Sequence, residues 1–389
     1  MPVTGGRRSA LCITDRLRGH ATAGVRGTFY QNFFTTLGWD FDTLDVTEVG
    51  KIEVLAAAHN RDLIVLIKVA SYDLVQAVRQ KTHATLVFDF SDALWKPIHR
   101  RVGWHDLERI LRCVDLVVCE NDHLQPFARR HQIHSAGVIT APTAVPLERF
   151  DAARQPTMER ADQSKSKFVI GWVGSRTTAS ALYKVRDSLV RLALRHPQLQ
   201  VRLLGVTESA AAKILGEIPH SVVPEYDEGV MISEMMRFDV GLYPEPFDTE
   251  DYVARGPLKA LLYMAAGLPV VCAPSGDCLR IIRDGESGMF ASTTAEWERK
   301  LEALIQNDSL RRDMGRKALE AARLTQTTEV LYGALQQAIQ DEANWKHSVR
   351  NLPPLTIRVR QKFRSLGFRA DSLGARIVRM VKQRGRRLR

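Results

Sequence analysis

The stretch from Phe238 to Gly288, FDVGLYPEPFDTEDYVARGPLKALLYMAAGLPVVCAPSGDCLRIIRDGESG, constrains the fold more than any other part of the chain. A strand-like run at 239–243 leads into a Pro-broken acidic loop at 244–251. Arg255 and Lys259 then stand at the mouth of an apolar helix closed by Gly267, and a second apolar run at 268–273 follows. Strand, loop, helix, glycine cap and strand is the cadence of a parallel sheet wrapped by helices. The two cations, four residues apart, fall on the first turns of a helix, where unpaired backbone N–H groups already favour an anion. That arrangement holds a diphosphate without a metal.

The same cadence recurs upstream. Strands are expected at 10–14, 41–45, 62–67, 85–88, 115–119 and 137–140, with helical patterns between them, the first helix from Thr28 to Leu37. A second series begins at 168, with strands at 201–205 and 221–223. In such sheets ligand chemistry gathers beyond the carboxyl ends of the strands, so the residues just after each strand rank highest. On that ground Asp89 and Asp92 in DFSDALW are candidates, with helix capping the competing reading for Asp92. Gly174, Ser175 and Arg176 follow the strand FVIGWV ahead of a helix expected from 179 to 195, where backbone amides reach a phosphate. A glycine-rich loop with Gly24 and Arg26 follows the first strand, and an ordinary turn competes for it. No G-x-G-x-x-G spacing marks a nicotinamide or flavin site.

Three runs in order resemble the GT-B glycosyltransferases close to family 4. KALLYMAAGLPVV at 259–271 is similar to that family's K-x-x-E-x-M-A-x-G-x-P-V-V, IIRDGESGMF to its V-x-D-G-x-N-G turn, and GWVGSRTT at 171–178 to its G-W-x-G-S-x-T-T. The resemblance implies an α/β GT-B fold, two doubly wound Rossmann-like domains facing a cleft, with a basic C-terminal helical tail. The expected divisions are 1–150 on the acceptor side, a linker at 151–167, a nucleotide-sugar domain at 168–345 ending in helices that cross back, and the tail at 346–389. It implies a nucleotide-sugar donor held by Gly174, Ser175, Arg176, Arg255 and Lys259, with Tyr226 stacking on the base. Asp92 and Asp89 would be catalytic on the acceptor side, with Gly24 and Arg26 lining the cleft. The implied reaction is retaining and needs no cofactor or metal, with a glycan or lipid-linked acceptor in bacterial-type surface glycan or glycolipid assembly. One departure stands out: the family's paired glutamates fall on Ala254 and Leu262. A noncatalytic assembly or regulatory partner of the same fold is therefore the alternative to an enzyme.

Composition bounds the rest. A chain of 389 residues, 45% hydrophobic and 25% charged, has material for about two domains. No apolar run is long enough to span a bilayer and the N-terminus lacks a signal-peptide core, so a cytoplasmic protein is expected. Its five cysteines form no C-x-x-C pair and are expected as buried thiols. Of the 55 Lys and Arg and 44 Asp and Glu, fourteen bases and one acid, Asp371, lie in 346–389, leaving 41 and 43 in the rest. The basic excess is thus confined to the tail, which argues against a nucleic-acid-binding body. Phe363, Leu366, Ala370, Leu373, Ile377 and Met380 would form one stripe on a basic helix, placing residues 355–389 on an anionic membrane surface at the inner face of the membrane. Docking on the chain's own first domain and binding of another polyanion are the competing readings.

Overall fold

The computed structural model describes residues 8–15, 21–96, 104–132, 137–158, 167–245, 253–325, 333 and 335–339. The expected basic tail lies outside the described residues. All described residues fall within one unit that runs to Lys346.

Among the described residues, twelve parallel strands form two sheets. In the first, β1 (Ser9–Thr14), β2 (Asp40–Asp45), β3 (Leu63–Ile67), β4 (Thr85–Phe90), β5 (Leu116–Cys119) and β6 (Val138–Thr140) run in the order β2-β1-β3-β4-β5-β6. In the second, β7 (Phe168–Val173), β8 (Leu199–Leu204), β9 (His220–Val223), β10 (Val240–Tyr243), β11 (Val270–Cys272) and β12 (Met289–Phe290) run β12-β11-β10-β7-β8-β9. Central strands such as LIVLI in β3 are buried at every position, because helices cover both faces of the sheet. Both sheets are doubly wound, and the strand ends and helix starts of the second follow the expected cadence. The five cysteines are free and buried. Among the described residues no helix is long and apolar enough to cross a membrane.

Three local readings are corrected. The first helix spans Ala21–Thr36, so Gly24 and Arg26 lie within it and not in a loop. A glycine inside a helix costs about 1 kcal/mol, and here that cost is outweighed by burial of the face carrying Arg26, Tyr30 and Phe33. Residues 151–158 continue the helix Leu147–Met158, whose Phe150 sits in the second domain's core. Their charges, read as a linker, make partners: Asp151 accepts from Arg154 and Arg323, and Arg154 Nη2 donates to the Ala265 carbonyl at 2.6 Å. The helix expected from 179 to 195 is split into a 3-10 segment, Ala179–Lys184, and an α-helix, Arg186–Arg195. Leu335 and Ile339 are buried in a cluster with Ala10, Cys12 and Phe29 of the first domain.

Packing behind the second sheet is tight. The Tyr263 ring lies so close to Gly241 in β10 that a Cβ there would come within 2.3 Å of it. The ring cannot retreat, since its hydroxyl accepts from Val173 N (2.9 Å) and donates to the Leu242 carbonyl (3.2 Å). Gly241→Ala is therefore expected to destabilise the protein by about 1–3 kcal/mol, the usual overpacking cost. An unchanged urea midpoint would show that Tyr263 can yield.

Candidate functional site

The order of the second sheet reverses between β10 and β7, and the crevice beyond their carboxyl ends is where a doubly wound sheet binds ligands. Four segments converge there. Gly174 and Ser175 leave β7, Pro244 and Glu245 leave β10, Arg255 lies on the approach to the helix Leu258–Ala265, and Lys259 on its first turn. Pro257 heads that helix and no side chain caps it, leaving N–H groups available to an anion. A pocket lined by Tyr243, Glu245, Arg255, Gly256, Pro257, Ala273, Ser275 and Cys278 opens beside it.

Lys259 Nζ is 3.2 Å from Glu245 Oε1, 5.0 Å from the Trp172 ring centre and 5.2 Å from that of Tyr243. Burial pushes the Lys259 amine below the ordinary lysine value, Glu245 pulls it back up, and Arg255 pushes it down. Arg255 Nη1 lies 3.7 Å from Glu245 Oε2, and its Nε 3.7 Å from Asp92 Oδ1 of the first domain. The two expected donor cations thus meet at one point, on a carboxylate that sequence reasoning passed over as part of an acidic loop.

The other residues expected to hold the donor lie around the end of β7 and at Tyr226. Ser175 N donates to Thr178 Oγ1 (3.1 Å), and the Ser175 carbonyl accepts from Thr178 N and Ala179 N (both 3.0 Å). The turn thus uses its own amides, and the 3-10 start is not the open helix terminus the sequence suggested. Ser175 and Arg176 are exposed. Tyr226 is half-buried against Gly205, which also abuts the Gly174 carbonyl, so Tyr226 and Gly174 border the same spot.

On the first domain the two aspartates separate. Asp89 is fully buried: Oδ1 accepts from Arg26 Nε (2.7 Å), while Oδ2 accepts from Arg26 Nη2 and Tyr30 OH (both 2.5 Å). Arg26 also donates to the Ala141 carbonyl (3.0 Å) and Thr143 Oγ1 (3.3 Å). Burial would lower the Arg26 guanidinium, but Asp89 reverses that and holds it above its ordinary value. Arg26 and Asp89 are thus a structural pair inside the domain and not residues open to the cleft, which corrects the catalytic reading of Asp89 and the cleft reading of Arg26. Asp92 is different. It lies just past β4 with φ +70°, and its Oδ2 is 2.7 Å from Nζ of Lys68, which lies just past β3 with φ +52°. Two left-handed backbone conformations, uncommon outside glycine, thus meet in one ion pair at the sheet's carboxyl edge. Lys68 was missed in the sequence, although it directly follows a strand.

The second domain touches the first through residues 254–256. Asn121 Nδ2 donates to the Ala254 carbonyl at 2.8 Å, and Ala254 is buried among first-domain core residues. Leu262, the other position where the family has glutamate, is buried in the second domain's core. Glu120 is buried behind Gly256 and accepts from Thr143 Oγ1; burial pushes its carboxyl up, partly offset by Arg26. Among the described residues no group of three His, Cys, Asp or Glu side chains converges to hold a metal ion.

Two doubly wound α/β domains with this site have the GT-B fold, and solved structures agree along the chain. HepE from Anabaena, solved in complex with UDP and glucose, matches with a TM-score of 0.62 at 12% identity, covering 86% of this chain and 100% of that one. Sucrose-phosphate synthase from Thermosynechococcus elongatus matches with a TM-score of 0.65 at 13% identity over 87% of this chain and 100% of that one. A UDP-forming α,α-trehalose-phosphate synthase from Burkholderia vietnamiensis gives 0.62 at 12%, over 90% and 99%. The segment 250–321 matches the family of glycosyl transferases group 1. D-inositol 3-phosphate glycosyltransferase of Nocardioides sp. (strain ATCC BAA-499 / JS614) is 38% identical over 69 residues, 17% of this chain and 15% of that protein, so the match spans about one seventh of the relative's length. The expected resemblance to GT-B group 1 glycosyltransferases thus holds in overall fold and in the segment that carries Arg255 and Lys259.

The contrast between the aspartates is measurable. Asp89→Asn leaves Arg26 buried without its counter-charge and is expected to cost about 3–5 kcal/mol of stability. Asp92→Asn keeps a residue that tolerates positive φ and weakens only the partly exposed pairs with Lys68 and Arg255, so it should cost about 1 kcal/mol or less. Urea denaturation of the two variants checks this, and equal losses would contradict the assignment.

Proposed function

We propose that the chain is a glycosyltransferase that moves a sugar from a nucleotide-activated donor to an acceptor. The observation that carries this is the convergence of Arg255 and Lys259 at the switch point of the second sheet, beside an uncapped helix start and a pocket. As the bond from the anomeric carbon to the diphosphate breaks, negative charge gathers on the leaving oxygens. Fixed cations at that point lower the barrier. That HepE was solved with UDP and glucose, and that the trehalose-phosphate synthase is UDP-forming, supports a nucleoside diphosphate leaving group.

In this reading the two side chains supply the charge compensation with no metal or cofactor, and the sugar keeps its anomeric configuration. Gly174, Ser175, Arg176 and Tyr226 border the donor, and Asp92 faces a glycan or lipid-linked acceptor from the first domain. The product belongs to surface glycan or glycolipid assembly, with the protein cytoplasmic and residues 355–389 resting on an anionic membrane surface.

Lys259→Ala should weaken binding of UDP, or of whichever of ADP and GDP binds better, by about 1.5–3 kcal/mol, and lower turnover of the matching nucleotide sugar at least as much. Wild-type affinity and turnover in the variant would overturn the reading; binding without turnover in the wild type would instead mark a noncatalytic protein.

The pH profile carries a second test. The protonated amine binds the anion, so donor binding is present below the Lys259 pKa and lost as pH rises through it. Because burial lowers that value, kcat/KM is expected to fall on the alkaline side before an ordinary lysine would titrate, and Lys259→Arg should move the fall to higher pH. A profile flat through that range would contradict the role.

A further inference from the structure

Glu245 is absorbed by none of the motifs above, yet it sits at the centre of the site. It lies two residues past the end of β10, its side chain is only 7% exposed, and each oxygen faces a different cation: Oε1 lies 3.2 Å from Lys259 Nζ and Oε2 3.7 Å from Arg255 Nη1. A carboxylate in that position makes the contacts that a phosphate group would make with the same two side chains.

We propose that Glu245 is the resident counter-ion of the phosphate seat: it holds Arg255 and Lys259 together while the seat is empty, is displaced by the donor diphosphate, and so determines how tightly anions bind. The proposal rests on the diphosphate reading of those two cations. Its chemistry is an exchange of ion pairs, with no covalent step. Two cations turned toward one half-buried point repel each other, and an anion between them relieves that repulsion. Burial does most to lower the Lys259 amine; against it Glu245 retains the proton, while Arg255 pushes it off. Every incoming anion must first separate Glu245 from its partners. A weakly charged anion regains little by doing so, whereas a diphosphate offers two charged groups to two cations. Glu245 thus sets a threshold that favours multiply charged ligands.

The test uses the full chain and inorganic pyrophosphate, which carries the seat's chemistry without a base or a sugar, with orthophosphate in parallel. At pH 7, Glu245→Gln is expected to bind pyrophosphate about tenfold more tightly than wild type by titration calorimetry, and orthophosphate more tightly as well. Its alkaline loss of binding should move to lower pH, because Lys259 has lost the group that retains its proton. A role in folding alone would produce neither change. Pyrophosphate affinity within twofold of wild type, or weaker, alongside a loss in Lys259→Ala would overturn the counter-ion proposal and leave the diphosphate reading standing. Undiminished affinity in both Lys259→Ala and Arg255→Ala would remove the diphosphate reading itself. If Glu245→Gln lacks a cooperative melting transition, Glu245→Asp decides: one methylene shorter, it cannot span both cations, so a gain in affinity is expected and an unchanged value overturns the proposal.

Discussion

Arg255 stands 3.7 Å from a carboxylate of each domain, Glu245 in its own and Asp92 in the other, and the site depends on that sharing. From Lys259 through Glu245, Arg255 and Asp92 to Lys68 the charges alternate in sign across the carboxyl ends of both sheets. Each ion is stabilised by neighbours of opposite sign, so a cluster of five charges is tolerated at a position where two bare cations would not be. Its net charge of one positive unit, with all five ionised, suits an anionic ligand. Arg255 is the one link of that chain of charges shared between the domains, so a change in its pairing alters the environment of Glu245 and Asp92 together.

The first domain holds a second charge system that does the opposite. Arg26, Asp89 and Tyr30 are buried, bonded to one another and closed to solvent. Desolvating such groups is costly, and it is offset only because guanidinium and carboxylate are met by several well-placed partners. That network ties the first helix to β4 and, through Ala141 and Thr143, to the stretch after β6. It thereby fixes the strand end on which Asp92 turns outward. Three positions along the chain take the backbone from an aspartate buried inside the domain to one paired with Arg255 of the other domain, and the difference lies in the direction each takes at the sheet edge.

The sheets were legible because parallel buried strands write themselves as short apolar runs between helical patterns, and every strand expected in the first domain is present within about two residues. Lys259 falls on the helix start as its spacing suggested, whereas Arg255 precedes the helix Leu258–Ala265 by three residues and reaches the same carboxylate from there. Asp89 was misjudged because DFSD does not reveal which carboxylate the pleat turns inward; that depends on Arg26, 63 residues away in the chain. Gly24 and Arg26 were misjudged because two glycines near a strand end read as a loop, whereas the buried face of the helix outweighs their propensity. Lys68 and Glu245 carried a usable signal, each being a charged residue within two positions of a strand's end. It went unread because neither belongs to a motif and their meaning appears only when the strand order puts β3 beside β4 and β7 beside β10.

The positions where the family has glutamates acquire a physical meaning from the domain contact. Ala254 is enclosed by the first domain, with its carbonyl held by Asn121. A glutamate there would bury a carboxylate among apolar side chains, at a cost that this packing does not compensate. Two residues on, a Cβ at Gly256 would fall 2.1 Å from Glu120 Oε1, so the backbone passes where no side chain fits. Residues 254 and 256 are thus clamped by β5's end, and the residue between them is Arg255. Its guanidinium is thereby held toward Glu245 by contacts its own domain does not make. The cation cluster is a product of both domains, because the backbone that carries Arg255 is fixed by the first domain while Lys259 is carried by a helix of the second.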